Sequence, residues 1–388
     1  MNAELLKKFF LSAAVVVSVS CAGSGIADDD LMHECTSWMV FSDLTRGKFN
    51  ILHKSRDSET RRTAFLRSQP DAKRKWIGMG ERRDAKIAVA MGMNASGLAG
   101  VVNSGEKCID NNTDRKAKGT LSILQHLLEN CDTASQAVAE YKKLLKAKNY
   151  WHGDKGSIFL FCDTKEGYIC ENTANFISVQ RYDRGYALRA NNWYNPGMDQ
   201  LADNPPRPYM YNSIRQYVVR TKLNEAIRKR GKVTVEDCLD LTRVCKNPES
   251  GLVLPRSICF ESTNSASSFV IDHDYPDVLS TAWLCIGPPR NTVCVPVPIC
   301  IKKCHPAMED LRFSGTAWNK QKIRGFKVPL PAEFIAFEKQ TFSQYAAALQ
   351  KARTLLEKGE KARAVEVLNT QAALIWQKAA DILEVPKK

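Results

Sequence analysis

Cys35 is the residue of this chain best placed for covalent chemistry. It opens the run Cys35-Thr36-Ser37-Trp38 and follows a leader with the features of a removable segment. A cysteine that becomes the first residue of a mature chain carries its own base. The α-amine, with a pKa of about 8, lies close to the thiol and can take its proton. No histidine is then needed, which fits a chain with only six. The chemistry on offer is acyl transfer through a thioester. The competing fate of Cys35 is burial as a small apolar strand residue, so its companions in the sequence decide between the two.

Those companions follow in order. They are Lys54-Ser55-Arg56-Asp57, then Gly92-Met93-Asn94-Ala95-Ser96-Gly97-Leu98-Ala99 with Asn103 behind it. Next come Phe161-Cys162-Asp163 with Gly167 and Glu171, then Asn191-Asn192-Trp193-Tyr194, Ser213-Ile214-Arg215 and a late Gly287-Pro288-Pro289. The series resembles the N-terminal-nucleophile cysteine hydrolases: choloylglycine hydrolases, penicillin V acylase and the isopenicillin N acyltransferase and carcinine hydrolase group. The likeness runs over roughly residues 35–300.

The resemblance implies a role for each matching residue. Cys35 is the nucleophile, and Asp57 holds and tunes its freed amine. Lys54 stands beside the thiol, where a cation favours thiolate. Asn103, by main-chain N–H and side chain, and Asn192 form the oxyanion hole. Arg215 braces the site or pairs with Asp57. The implied fold is α+β, a four-layer αββα sandwich of two antiparallel sheets between helices, with neither cofactor nor metal. Three departures stand out in this region. Ser55 replaces an asparagine, a register in which Arg56 becomes the alternative cation. Asn103 lies one residue closer to Met93-Asn94 than in the bile-salt branch, which favours the acyltransferase-like branch. Trp193 replaces a histidine. In the pair Asn191-Asn192 a shift of one residue makes Asn191 the alternative donor.

The elements that must position these residues are legible in outline. Thr36–Phe41 and Lys48–His53 read as a strand pair around Arg46-Gly47, and Ile87–Met91 and Gly97–Asn103 as a second pair. Residues 120–131 and 133–146 have helical spacing, the latter opened by Thr133 as cap. Four short strands follow over 157–162, 168–173, 176–180 and 185–189. Helices are expected over 211–229 and 235–244, and strands over 257–261, 266–272 and 278–286. Two Ala/Leu/Lys-rich helices, 333–358 and 362–383, form a helical C-terminal extension, 331–388, that has no counterpart in the resemblance. The catalytic domain is then 35–330.

Residues 1–27 read as an export signal: Lys7 and Lys8, an apolar core from Phe9 to Val19, and Gly25-Ile26-Ala27 before the cut. That core is shorter than the roughly 20 residues a spanning helix needs. Residues 28–34 are a short acidic propeptide, and Cys21 offers a lipid-anchor site as a minority alternative. Thirteen cysteines suit an oxidising compartment, periplasmic or extracellular. The cluster Cys285, Cys294, Cys300 and Cys304 is expected to hold disulfides rather than zinc, because its spacing lacks paired CxxC geometry.

The chain carries a net charge of +14, and +17 from Cys35 onward, because Lys7 and Lys8 are outweighed by Glu4, Asp28, Asp29, Asp30 and Glu34. The basic residues are scattered, and no nucleic-acid motif accompanies them. The expected activity is hydrolysis or acyl transfer at a linear amide of a small acylated substrate or short peptide. The alternatives are a dipeptidase of the same broad class and a non-catalytic basic envelope-binding protein.

Overall fold

The structure is a computed structural model that describes residues 35–388, except 59, 70, 84–85, 113–116, 151–152, 204–209, 247–250, 252–256 and 388. The export signal, the propeptide and Cys21 therefore lie outside the described residues.

Alternation of apolar and polar residues builds two antiparallel sheets. The first contains β1 (Cys35–Val40), β2 (Phe49–Asp57), β10 (Tyr186–Arg189), β11 (Thr263–Asp272), β12 (Thr281–Ile286) and β13 (Cys294–Pro298). Its order is β10-β1-β2-β11-β12-β13. The second runs in sequence order through β3 (Thr63–Arg67), β4 (Trp76–Arg83), β5 (Lys86–Asn94), β6 (Ala99–Asn112), β7 (Gly153–Cys162), β8 (Gly167–Asn172) and β9 (Ile177–Tyr182). Nine helices are described: α1 (Ser42–Thr45), α2 (Thr120–Asn130), α3 (Ala134–Lys146), α4 (Met210–Arg230), α5 (Val235–Leu241), α6 (Pro306–Glu309), α7 (Arg312–Arg324), α8 (Ala332–Glu357) and α9 (Lys361–Leu383).

Three apolar clusters show how these elements layer. Met39 and Leu52 of the first sheet pack with Phe65, Met91, Met93, Val101 and Leu160 of the second. Behind the second sheet, Phe159 and Phe161 meet Leu124, Leu127, Val138 and Tyr141 of α2 and α3. Behind the first, Trp38, Val40 and Ile51 meet Val218, Leu223 and Leu241 of α4 and α5. The result is the expected αββα sandwich. Because side chains alternate along a strand, Cys35 and Ser37 share the inward face of Met39. Lys54 and Arg56 likewise share the inward face of Leu52. The polar residues of β1 and β2 therefore enter the space between the sheets.

The structure differs from the sequence expectations in several places. Residues 257–261, expected as a strand, are bends and a turn that leads into β11, with Thr263 N–H donating to the Phe260 carbonyl. The β1–β2 connection contains the helical turn α1, followed by Arg46 at φ 56°. Strands β3, β4 and β13 and helices α6 and α7 are additions to the elements expected from sequence. β13 contains Pro296 and Pro298, which suit a strand at the sheet edge. Helices α8 and α9 share the central cluster through Phe334, Phe337, Tyr345, Ile375 and Trp376, and Trp376 Nε1 donates to the Pro296 carbonyl of β13 at 2.8 Å.

Candidate active site

Cys35 is the first residue of β1, paired with Arg56 of β2, and Ser37 is paired with Lys54. The Lys54 ammonium is fully buried, a position that requires a partner for each of its protons. It donates to the Val102 carbonyl at 2.6 Å and to Asn103 Oδ1 at 2.8 Å, and it hydrogen-bonds the Cys35 side chain. Burial lowers its pKa from the ordinary 10.5, while Cys35 acts in the opposite direction. Asn103 joins the two sheets here. Its Oδ1 also accepts from Ser37 Oγ at 2.8 Å, and its Nδ2 donates to the carbonyls of Ala190 at 3.0 Å and Arg189 at 3.3 Å. Its side-chain amide is thus committed to the backbone of the β10 exit.

The main chain of Cys35 is held from the other side. Its N–H donates to Asn191 Oδ1 at 2.8 Å, and the Asn191 amide donates to the Ser104 carbonyl at 2.7 Å. Arg215, on α4 and fully buried, donates to the Cys35 carbonyl at 2.7 Å, to Thr36 Oγ1 at 3.1 Å and to Asn191 Oδ1 at 2.9 Å. Arg215 therefore braces the nucleophile strand. Asp57 accepts from Thr263 Oγ1 of β11 at 2.5 Å, and its charge raises the Lys54 pKa. Arg56, the alternative cation, forms an ion pair with Glu81 of β4 at 2.6 Å.

The structure thus gathers Cys35, Lys54, Asn103 and Arg215 around one point, with Asp57 on the adjoining strand. It sets Asn191, rather than Asn192, against Cys35. The Asn192 side chain turns to Glu106, which also accepts from the Trp193 N–H at 3.3 Å. This loop is fixed by a buried pair of charges. Glu171 on β8 takes Arg189 Nε at 2.6 Å, and its other oxygen accepts the N–H groups of Tyr194 and Asn195, each at 2.7 Å. Glu171 lies in a matched stretch of the sequence. Ser37 lies in the opening run beside Cys35, whereas Glu106 and Arg189 carry no such signal.

A disulfide joins Cys285 of β12 to Cys294 of β13, directly opposite in register, within the cysteine cluster where pairing is expected. Among the described residues, no group of three or more His, Cys, Asp or Glu side chains could hold a metal ion. Among those residues, too, no helix is long and apolar enough to cross a membrane.

No family model and no curated protein matches the chain. Solved structures do. A mutant of the conjugated bile acid hydrolase from Clostridium perfringens is 14% identical, covering 68% of this chain and 92% of its own, with a TM-score of 0.44. Penicillin V acylase from Agrobacterium tumefaciens is 15% identical, covering 68% and 86%, with a TM-score of 0.43. The Caenorhabditis elegans ortholog of N-acylethanolamine-hydrolyzing acid amidase is 13% identical, covering 65% and 100%, with a TM-score of 0.42.

Proposed function

We propose that this chain is an exported amide hydrolase or acyltransferase whose nucleophile is Cys35, freed as the N-terminal residue by self-cleavage. The observation that carries this reading is the setting of Cys35. Its main-chain nitrogen is held by Asn191 Oδ1 and its side chain is held by a buried lysine.

In maturation the Cys35 thiolate attacks the Glu34 carbonyl carbon. The C–N bond breaks as the C–S bond forms, the new amine takes a proton, and water hydrolyses the thioester to release residues before Cys35. In turnover the α-amine accepts the thiol proton as the sulfur attacks the substrate carbonyl. It returns that proton to the leaving amine, giving a thioester. Water, or an acceptor amine, then attacks with the α-amine again as base. Lys54 sets a buried cation beside the sulfur, Arg215 and Asn191 fix the main chain, and Asp57 tunes the neighbouring charge. We place the oxyanion against the Asn191 carboxamide and the Asn103 main chain, with Asn191 in the role that the resemblance gives to Asn192. The substrate is a small acylated amide.

Intact mass and N-terminal sequencing of the exported protein test the scheme. The mature chain is expected to begin at Cys35 and to be labelled there by an electrophilic acyl probe, whereas Cys35→Ala keeps residues 28–34. A fully active protein that begins at Asp28 would overturn it.

A further inference from the structure

Next to the Cys35 centre lies a carboxylate that, among the described residues, has no cation upon it. Glu106 follows Ser104 on β6, where the register with β7 shifts between Ser104 and Lys107. Such a bulge re-aims side chains, and Glu106 meets the Asn192–Trp193 loop. Among the described residues no Lys, Arg or His pairs with Glu106, and its neighbour Lys107 is taken by Asp154 at 3.3 Å. Burial pushes the Glu106 carboxyl up, and Glu171 pushes the same way.

Two further groups there are unsatisfied. Asn192 is only 3% exposed and its Oδ1 has no partner, and the buried Trp193 Nε1 has none either. The indole beside these groups is held in place by close packing. A Cβ at Gly156 would come within 2.2 Å of the Trp193 ring, and one at Gly105 within 2.7 Å of its Nε1, so two glycines make the floor on which the indole lies. The Asn191 amide, clasping both Cys35 N–H and the Ser104 carbonyl, ties this loop to the nucleophile.

The acceptors here, a carboxylate and a carboxamide oxygen, call for a group that donates and carries positive charge, which leaves the Trp193 Nε1 donor outside the contact. A hydroxyl would leave the half-buried charge uncompensated. In a chain whose mature net charge is +17, the long-range field repels cations, so a cationic group is bound only where a local carboxylate recruits it. We propose that Glu106 and Asn192 form a subsite for an ammonium group, so that the amide cleaved by Cys35 belongs to a substrate carrying a primary amine near the scissile bond. This inference rests on the reading of Cys35 as nucleophile.

The test uses two matched probes on the mature full-length protein, the chloroacetamides of ethylenediamine and of ethanolamine. Each alkylates Cys35 as the C–S bond forms and chloride leaves, and intact mass follows the rate. The ammonium probe is expected to react about tenfold or more faster, the worth of one charge-assisted hydrogen bond. Glu106→Gln should bring the ratio to about one, and Asn192→Leu should lower it partway. A wild-type ratio near one overturns the subsite alone, and so does a ratio that survives in Glu106→Gln. The wild-type ratio needs no variant to fold. Labelling of Cys35 by neither probe overturns the subsite and the nucleophile together.

Discussion

At the scale of single residues, the site is governed by how few polar groups are left to themselves between two apolar sheet faces. Lys54 satisfies its protons on Val102, Asn103 and Cys35, so replacing it removes the buried ammonium from the thiol. Lys54→Met is expected to slow alkylation of Cys35 by a neutral haloacetamide at neutral pH by about tenfold or more. An unchanged rate in folded protein would remove Lys54 from the mechanism. The two asparagines separate in a second experiment. Asn191→Ala should lower kcat by about 10²–10³, the cost of one oxyanion donor, and Asn192→Ala by far less. Equal losses in two folded variants would defeat that assignment. The sequence placed an Asn-Asn pair at the site but not the member that faces Cys35. That choice depends on the twist of the loop, which Arg189 at the end of β10 and Glu171 of β8 impose together.

At the scale of elements, the β1–β2 hairpin works because its two faces carry different chemistry. The inward face holds Cys35, Ser37 and Lys54, and the outward face holds Trp38 and His53, whose rings stack at 4.0 Å. His53 lies between Ser268 Oγ at 2.7 Å and Thr242 Oγ1 at 3.0 Å, and burial drives its pKa well below the ordinary 6.5. The folded protein therefore holds His53 neutral where the unfolded chain binds a proton. Stability should fall as pH drops below about 6.5, by up to about 1.4 kcal/mol per pH unit from this group. Urea melts between pH 7.5 and 5 should show that slope in the wild type and a shallower one in His53→Gln; equal slopes would remove His53 as the cause. Period-two patterning made β1, β2 and most of the later strands legible, and a threonine cap marked the start of α3. It missed β13, whose two prolines read as a loop, and cast 257–261 as a strand although its buried residues serve a turn. A turn and a strand bury apolar residues alike, and only the sheet partner distinguishes them.

At the scale of the whole molecule, the C-terminal helices are part of the structure that holds the site. Arg243, just beyond α5, donates to Glu338 of α8 through two nitrogens at 2.6 and 2.7 Å, and both side chains are about nine-tenths buried. Glu338 also accepts the Cys294 N–H of β13 at 2.6 Å, and Arg243 Nε donates to the Pro289 carbonyl at 2.9 Å. Arg243 directly follows Thr242, whose hydroxyl meets His53 on the back of the nucleophile hairpin. A path of short contacts thus runs from α8 through the 242–243 turn to β2. No local pattern announces it, because its contacts join residues 95 and 189 positions apart. Glu338→Ala leaves the Arg243 guanidinium buried without its anion and the Cys294 N–H without its acceptor, so it should destabilise by about 3–5 kcal/mol. The double variant Arg243→Met with Glu338→Met removes both charges and should recover most of that loss, since buried pairs contribute little beyond apolar packing of equal volume. Denaturant midpoints measure both, with Cys35 alkylation as a second readout. Loosening of the hairpin predicts that Glu338→Ala alters the alkylation rate at denaturant concentrations well below its midpoint. If the single variant is as stable as the wild type, the Arg243–Glu338 pair does not anchor the C-terminal helices. If the double variant is no more stable than the single, the unpaired charge is not the source of the loss.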